Sequence, residues 1–343
     1  MTLLIVGAST RAAAFSALRA GLQPWCLDLF ADADLKARCP ARRLRGKYPE
    51  ALLQEAADAP PGPWMFTGAL ENHPALIEAL ARSRALWGNV GERPRIAEPL
   101  PFPSSARATT GGYLVKPRAS AGGAGIRFWD GGRIPPTHFL QPFIPGEPAS
   151  AVFCGGLFLG ATRQLIGTPW LNASGFRYAG NFGPIALGSE VVAPLTAYAA
   201  SLGLRGLFGV DGILAGGAFH AVEVNPRYTA SVEVLELASG LLAMAHQAAA
   251  FGHGAAPGIP TPTRVLAKGV LYAPADGLFP ADGPWREGWP YFADIPPAGS
   301  PLRAGQPVLT ALATGEDEAG CLEALRHRAA EVQQAVWPRS ATP

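Results

Sequence analysis

Gly209-Val-Asp-Gly-Ile-Leu-Ala-Gly-Gly-Ala-Phe-His-Ala-Val-Glu-Val-Asn-Pro-Arg-Tyr228 is the stretch that decides how this chain is read. Two apolar, strand-like runs flank Ala215-Gly-Gly-Ala218, which is hairpin-turn chemistry. Side chains alternate faces along a strand, so Glu223 and Asn225 share one face. The side taken by Asp211 depends on the turn. A three-residue loop over 216–218 sets Asp211 opposite Glu223. A two-residue Gly216-Gly217 turn pairs Asp211 with Val222 and sends Glu223 to the other side, unless a bulge corrects it. Two carboxylates and an amide form a hard-oxygen set that suits Mg²⁺ (or Mn²⁺) shared with phosphates. The plainer alternative is a hairpin with solvated polar residues. Acids inside a Val-Glu-Val core run argue against it, because a buried charge is costly without a partner.

Upstream, Gly112-Tyr-Leu-Val-Lys-Pro-Arg-Ala-Ser-Ala-Gly-Gly-Ala-Gly-Ile126 ends an apolar strand on Lys116 and follows it with a glycine-rich loop. N–H groups of such a loop can wrap phosphate oxygens, and the Lys adds a point charge. The Lys precedes the glycines, so this is not a Walker loop, and the glycine spacing is not a dinucleotide fingerprint. Alone, it reads equally well as a hairpin turn. A third run, Phe139-Leu-Gln-Pro-Phe-Ile-Pro-Gly-Glu-Pro-Ala-Ser150, leaves a strand at Gln141, passes a hinge and reaches Glu147. An extended hinge offers the N–H and C=O that match an adenine edge, and a nearby carboxylate can hold a ribose diol. Alone, a plain exit from a strand explains it better.

Leu3–Val6, Arg11–Ala20, Pro24–Leu29, Glu50–Ala59, Trp64–Thr67 and a helix from Asn72 to Arg84 alternate as strands and helices, a doubly wound α/β pattern. Thr10 and its neighbours carry capping chemistry for the first helix. Gly91–Thr110 reads as a linker. Beyond it come short strands to about Gly146, and strands with a long loop at Thr168–Pro184. Then follow a helix at Glu190–Leu202, the hairpin, and a helix from about Ser231 to Phe251. The tail adds strands at Arg264–Tyr272 and Pro307–Ala313 and a helix at Asp317–Val336. The divisions expected are an N-terminal α/β domain at 1–95, a small subdomain at 96–147, a large subdomain at 148–255 and an α+β extension at 256–343.

Taken in order, a Lys with its glycine loop, a Gln hinge and an Asp…Glu-x-Asn-x-Arg hairpin resemble the ATP-grasp superfamily of ligases. The resemblance implies the ATP-grasp fold, α/β and α+β, behind an N-terminal α/β domain, with ATP between two subdomains. It places Lys116 and Ser120, Ala121, Gly122, Gly123 and Gly125 on the phosphates. Gln141, with the backbone of Phe143 and Ile144, would hold adenine. Glu147 would hold ribose, with Pro148 as an alternative alignment. Asp211, Glu223 and Asn225 would hold the metal, and Arg227 would face the transferred phosphoryl. Members commonly carry another phosphate-binding Lys before the small subdomain. Here 91–110 has none, and Arg93, Arg95 or Arg107 would replace it with a fork instead of a compact charge.

A narrower resemblance lies in Glu223–Glu233, Val265–Tyr272 and Ala293–Gly299, which look like tyramine–glutamate-ligase-like ATP-grasp proteins of methanofuran and tetrahydromethanopterin biosynthesis. It implies a glutamate-like acid and an amine as substrates, in a family that is often dimeric. Geometry suggests where the acid sits. Thr229 and Ser231 open a helix, whose free N–H groups favour anions, although ordinary capping explains them as well. Arg177, Tyr178 and Asn181 lie in the long loop. Ser9 and Arg11 follow the first strand, where open sheets bind ligands; a solvated helix residue is the alternative for Arg11.

The net charge of +2 over 343 residues gives no ground for a nucleic-acid or membrane-surface partner. Four cysteines without paired spacing argue against a zinc site or a disulfide framework. The expectation is a cytoplasmic protein with no signal peptide and no membrane span. Two other readings stay open: a non-catalytic nucleotide-binding protein, and a dinucleotide oxidoreductase loosely echoed by Gly7 and Asp28. Against the latter, the first turn lacks G-x-G-x-x-G.

Overall fold

A computed structural model describes residues 1–90 and 112–338. The linker 91–110, with Arg93, Arg95 and Arg107, lies outside the described residues. The chain opens with β1 (Thr2–Gly7), α1 (Arg11–Arg19), β2 (Gln23–Asp28), α2 (Ala33–Arg38), β3 (Ala41–Arg43), α3 (Ala51–Glu55), β4 (Trp64–Phe66) and α4 (Pro74–Ala81). The strands form a parallel sheet in the order β3-β2-β1-β4. Leu3, Leu4, Ile5 and Val6 are all fully buried, because helices cover both faces. Thr10 does not cap α1 with its side chain. Its hydroxyl and N–H both donate to Asp28 Oδ2, at 2.8 and 2.6 Å, so a carboxylate from the end of β2 holds this helix start. Asn72 is likewise no cap: α4 starts later, at Pro74, behind His73.

Next come β5 (Tyr113–Pro117), β6 (Arg127–Phe128) and β7 (His138–Pro142), a small antiparallel sheet in the order β6-β5-β7. The body follows: β8 (Glu147–Cys154), β9 (Leu157–Ile166), β10 (Tyr178–Gly183), α5 (Ser189–Ser201), β11 (Leu207–Ala215), β12 (Ala218–Asn225), α6 (Ala230–Ser239) and α7 (Ala243–Ala250). The tail contributes β13 (Val265–Tyr272), β14 (Gly277–Leu278), β15 (Phe292–Ala293), β16 (Pro301–Leu302), β17 (Pro307–Gly315) and α8 (Glu318–Val336). Strands from body and tail form one eight-stranded sheet, β12-β11-β8-β9-β10-β13-β17-β15. Strands β13, β17 and β15 of the tail thus extend the sheet of the large subdomain.

Two sequence expectations change here. The segment expected as a long loop contains β10, an internal strand between β9 and β13. Its Tyr-Ala-Gly-Asn-Phe-Gly composition hides it. Gly180 is required there, since a Cβ would stand 1.9 Å from the Lys268 carbonyl. The helix expected over 231–251 is two helices, because Gly240 takes φ +78° and ends α6. α1 packs against α6 and α7 through Phe15, Val232, Leu235 and Met244, which fastens the N-terminal domain to the body. No helix among the described residues is long and apolar enough to cross a membrane.

Candidate active site

The β11–β12 hairpin resolves the question of register. Gly216 and Gly217 take φ +57° and +76° and close Ala215 onto Ala218, a two-residue turn. By itself that turn would put Asp211 opposite Val222. A bulge between Asp211 and Gly212 absorbs one residue, so Gly212 pairs with Ala221 and Asp211 with Glu223. Gly212 allows this, since a Cβ there would stand 2.2 Å from the Phe219 ring. Asp211, Glu223 and Asn225 therefore line the same cleft, of about 510 Å³. Asn225 Nδ2 donates to Asp211 Oδ2 at 2.9 Å. Burial, and then the Glu223 charge opposite, push the Asp211 carboxyl up to about 6, against the pull of Ser150, Arg227 and Gln164.

The small sheet forms the facing wall. Lys116 Nζ donates to Gln141 Oε1 at 3.1 Å, and Gln141 Nε2 donates to the Val222 carbonyl at 2.9 Å. Gln141, which the resemblance assigns to adenine, lines the cleft, and its buried side chain also holds Lys116 and ties the small sheet to the bulge in β12. The Phe143 N–H is bonded to the Gly112 carbonyl at 2.9 Å and is not available to a base. Phe143 and Ile144 themselves line the cleft.

Ser120, Ala121, Gly122 and Gly123 face the cleft. Gly125 does not; it packs under Pro117. The loop is docked on two sides. Tyr178 N–H donates to the Gly122 carbonyl at 3.0 Å, and Asn72 Nδ2 donates to the Ser120 carbonyl at 3.2 Å. Gly123 comes so close to the Phe176 carbonyl that a Cβ would stand 1.9 Å from it.

Arg227 also reaches the N-terminal domain. Its Nε lies 2.9 Å from both Glu71 oxygens and its Nη2 2.8 Å from Oε1, while Nη2 also donates to Asn225 Oδ1 at 3.1 Å. Burial alone would lower the guanidinium pKa, but Glu71, Glu223 and Asp211 raise it overall. Sequence reasoning missed Glu71. Its one signal was a place just past the carboxyl end of β4, in an open α/β sheet.

Tyr178 and Asn181 lie on β10, not on a loop. The Tyr178 hydroxyl donates to Asn181 Oδ1. Asn181 Nδ2 donates to Thr162 Oγ1 at 2.9 Å and Ser231 Oγ at 3.0 Å. Thr229 sits at the N-cap of α6 without a capping bond. Its Oγ1 is buried with no hydrogen-bond partner among the described residues, and the residue lines the cleft.

Besides Gly125, four expected site residues stand elsewhere. Glu147 is exposed and pairs with Arg163 at 2.8 Å, while Pro148, the alternative, lines the cleft. Side chains alternate along β8, and Glu147 falls on the wrong face. Arg177, just before β10, donates to the Gly305 carbonyl at 2.7 Å and lies over the Tyr272 ring. Arg11 is no solvated helix residue: it is 1% exposed and locked onto Glu233 and Asp294. Ser9 is exposed beside Asp294, outside the cleft.

Comparison with known proteins bears on the fold. The ATP-grasp domain family matches residues 95–231. Phosphoribosylamine–glycine ligase of Thermotoga maritima superposes with a TM-score of 0.66 over 96% of this chain and 97% of that one, at 17% identity. This chain has the ATP-grasp fold. The biotin carboxylase domain of 2-oxoglutarate carboxylase from Hydrogenobacter thermophilus, solved with MgADP, ADP and bicarbonate, shares this ATP-grasp architecture. It gives a TM-score of 0.67 at 12% identity, over 95% of this chain and 89% of that one. L-amino acid ligase from Bacillus licheniformis gives 0.62 at 15% identity, over 96% and 97%. An uncharacterized protein of Methanocaldococcus jannaschii is 29% identical over 175 residues, 50% of this chain. That match spans only 41% of the relative's length.

Proposed function

We propose that this protein is an ATP-dependent, ADP-forming carboxylate–amine ligase. The observation that carries the reading is the bulged register of β11 and β12. It turns Asp211, Glu223 and Asn225 toward the cleft that Lys116 and the glycine loop close from the other side. These three residues fit a magnesium or manganese ion: all offer oxygen, and two are carboxylates paired across the hairpin. Such an ion, when bound, supplies positive charge to phosphate oxygens.

The chain's own groups do the positioning. Lys116 and N–H groups of 120–123 would hold the phosphates, and the hinge around Phe143 and Ile144 the base. Arg227, fixed by Glu71, would stabilise charge on the transferred phosphoryl. The acid substrate is assigned to the start of α6. There the unpartnered Thr229 hydroxyl and the positive end of the helix favour a carboxylate. An oxygen of that carboxylate attacks the γ-phosphorus, and ADP leaves with the bridging oxygen. A neutral amine then attacks the acyl carbon. The carbon–oxygen bond breaks, phosphate leaves with that oxygen, and the amine's proton passes to water.

For the acid we favour glutamate or a glutamate-bearing precursor of a methanofuran- or tetrahydromethanopterin-type carrier, on the strength of the sequence resemblance. Two of the similar structures are named as ligases, which supports the reaction class. Arg177 has no part in this site. The test is isotopic. Acid labelled with heavy oxygen should pass one label to phosphate for each amide formed; unlabelled phosphate would refute the acyl phosphate.

A further inference from the structure

The carboxyl ends of β1 and β2 carry charged groups that the cleft chemistry does not use. Arg11 forks onto Asp294, with Nε and Nη2 each 3.0 Å from a carboxylate oxygen, and also grips Glu233 of α6. Lys268 Nζ on β13 donates to Glu233 Oε2 at 2.6 Å. Asp34 accepts from the N–H groups of Asp294 and Ile295, both at 3.0 Å. Asp28 accepts from Thr10, Phe30 and Ala31. Each of these carboxylates has its partners.

Asp32 has none. It is 7% exposed and stands at the N-cap of α2 without a capping bond; its carbonyl accepts from Lys36 N–H at 3.1 Å, but its carboxylate makes no hydrogen bond or ion pair among the described residues. Burial, then Asp294, Asp28 and Asp34, push its carboxyl up to about 8, against the pull of Arg11. Five carboxylates (Asp28, Asp32, Asp34, Glu233 and Asp294) share this region with two cations, Arg11 and Lys268. A buried excess of one sign is costly unless something compensates it. Two residues here, Ala31 at φ +51° and Asp294 at φ +53°, hold a left-handed backbone without being glycine. Such strain gathers at ligand clamps. The rim is open: Ser9 is exposed, and the Phe30 ring is 40% exposed. Open α/β sheets bind ligands at this end of their strands.

We propose that this region binds an organic cation, a primary ammonium or guanidinium group, on Asp32, with Asp294 and Asp34 behind it and Phe30 against the stem. No group of three or more acid, His or Cys side chains converges as metal ligands among the described residues. An ammonium needs only one carboxylate and a negative surrounding. Glu233, at the inner end, lies one helical turn beyond Thr229 of the cleft. In a carboxylate–amine ligase the ligand is the amine substrate, held by a cationic group other than the amine that reacts. That identification rests on the proposed function; the binding does not.

Calorimetric titration of the full chain at about pH 8.5, where Asp32 is ionised, tests it. Agmatine and putrescine are the probes and uncharged butanediol the control. One agmatine should bind per chain, and Asp32→Asn should weaken it about tenfold or more, the loss of one charged hydrogen bond. Butanediol should not bind, and Mg·ATP affinity and the surface control Asp276→Asn should be unchanged. If Asp32→Asn does not fold, Phe30→Ala at the open rim should weaken agmatine about threefold through lost stem contact. Absence of agmatine binding to the wild type, equal binding to Asp32→Asn or to the Phe30→Ala fallback, or displacement by Mg²⁺ alone would each overturn the proposal. Agmatine binding without ATP turnover under any acid would instead count against the ligase reading and leave the cation site standing.

Discussion

Arg11→Ala removes the charge that joins three parts of the molecule. The guanidinium is 1% exposed and lies between Glu233, which is fully buried, and Asp294. Breaking a buried pair typically costs about 3–5 kcal/mol, because the remaining charge stays buried without its partner. Lys268 still neutralises Glu233 at 2.6 Å, whereas Asp294 keeps only hydroxyl donors from Thr310 and Ser9. The expected loss is therefore at the lower end, about 3 kcal/mol. Urea unfolding at neutral pH measures it from the midpoint, given an unchanged slope. Adding Asp294→Asn should recover part of the loss, so the double variant should cost less than the two single ones together. Arg286→Ala, which breaks an exposed pair with Asp282, should cost no more than about 0.5 kcal/mol. An Arg11→Ala variant within about 1 kcal/mol of wild type, or strict additivity with Asp294→Asn, would refute this reasoning.

Three further outcomes follow from particular contacts. Lys116→Met should weaken ATP by about 1.5–3 kcal/mol and adenosine little, because the lost contact is a charged one to phosphate; equal losses in calorimetry would contradict the role. Glu71→Gln should lower kcat roughly tenfold or more with little change in KM for ATP, since it frees Arg227 to turn; an unchanged kcat would remove Glu71 from the account. Asp32 is held at about 8, above the roughly 4 of an unfolded chain. The folded chain then binds the extra proton between these values, and wild-type stability falls as pH rises from about 4 to about 8. Asp32→Asn should remove that slope, gaining up to ~5 kcal/mol on wild type at the upper end; parallel stability–pH curves would contradict it.

Local chemistry carried the parts of the fold that were legible. Leu3–Val6, the Gly216-Gly217 turn and the helix that follows Asp317 each announce themselves within a few residues. The turn left two registers open, and the bulge that decides between them depends on the Phe219 ring beside Gly212. β10 was not legible, because its glycines serve close contacts with neighbouring strands and carry no strand propensity. The site shows the same division. Lys116, Asp211, Glu223 and Asn225 come from short motifs, and the structure brings them to one cleft. Their supports do not come from motifs: Glu71 reaches Arg227 across 156 residues of chain, and Asp294 reaches Arg11 across 283. Arg11 was singled out for the right neighbourhood and given the wrong task, since sequence cannot show that two acids from distant segments close over it.

In the proposed ligase, Asp211, Glu223 and Asn225, facing Lys116, form a working Mg·ATP site. ADP formation with Mg²⁺, a panel of amino-acid carboxylates and amine acceptors tests it most directly, run beside Glu223→Gln. The account predicts ADP formation that requires both an acid and an amine. It also predicts near-complete loss of that activity in Glu223→Gln, with an unchanged fold and adenosine still bound. Turnover in Glu223→Gln equal to that of the wild type, or a wild type that does not bind Mg·ATP, would contradict it.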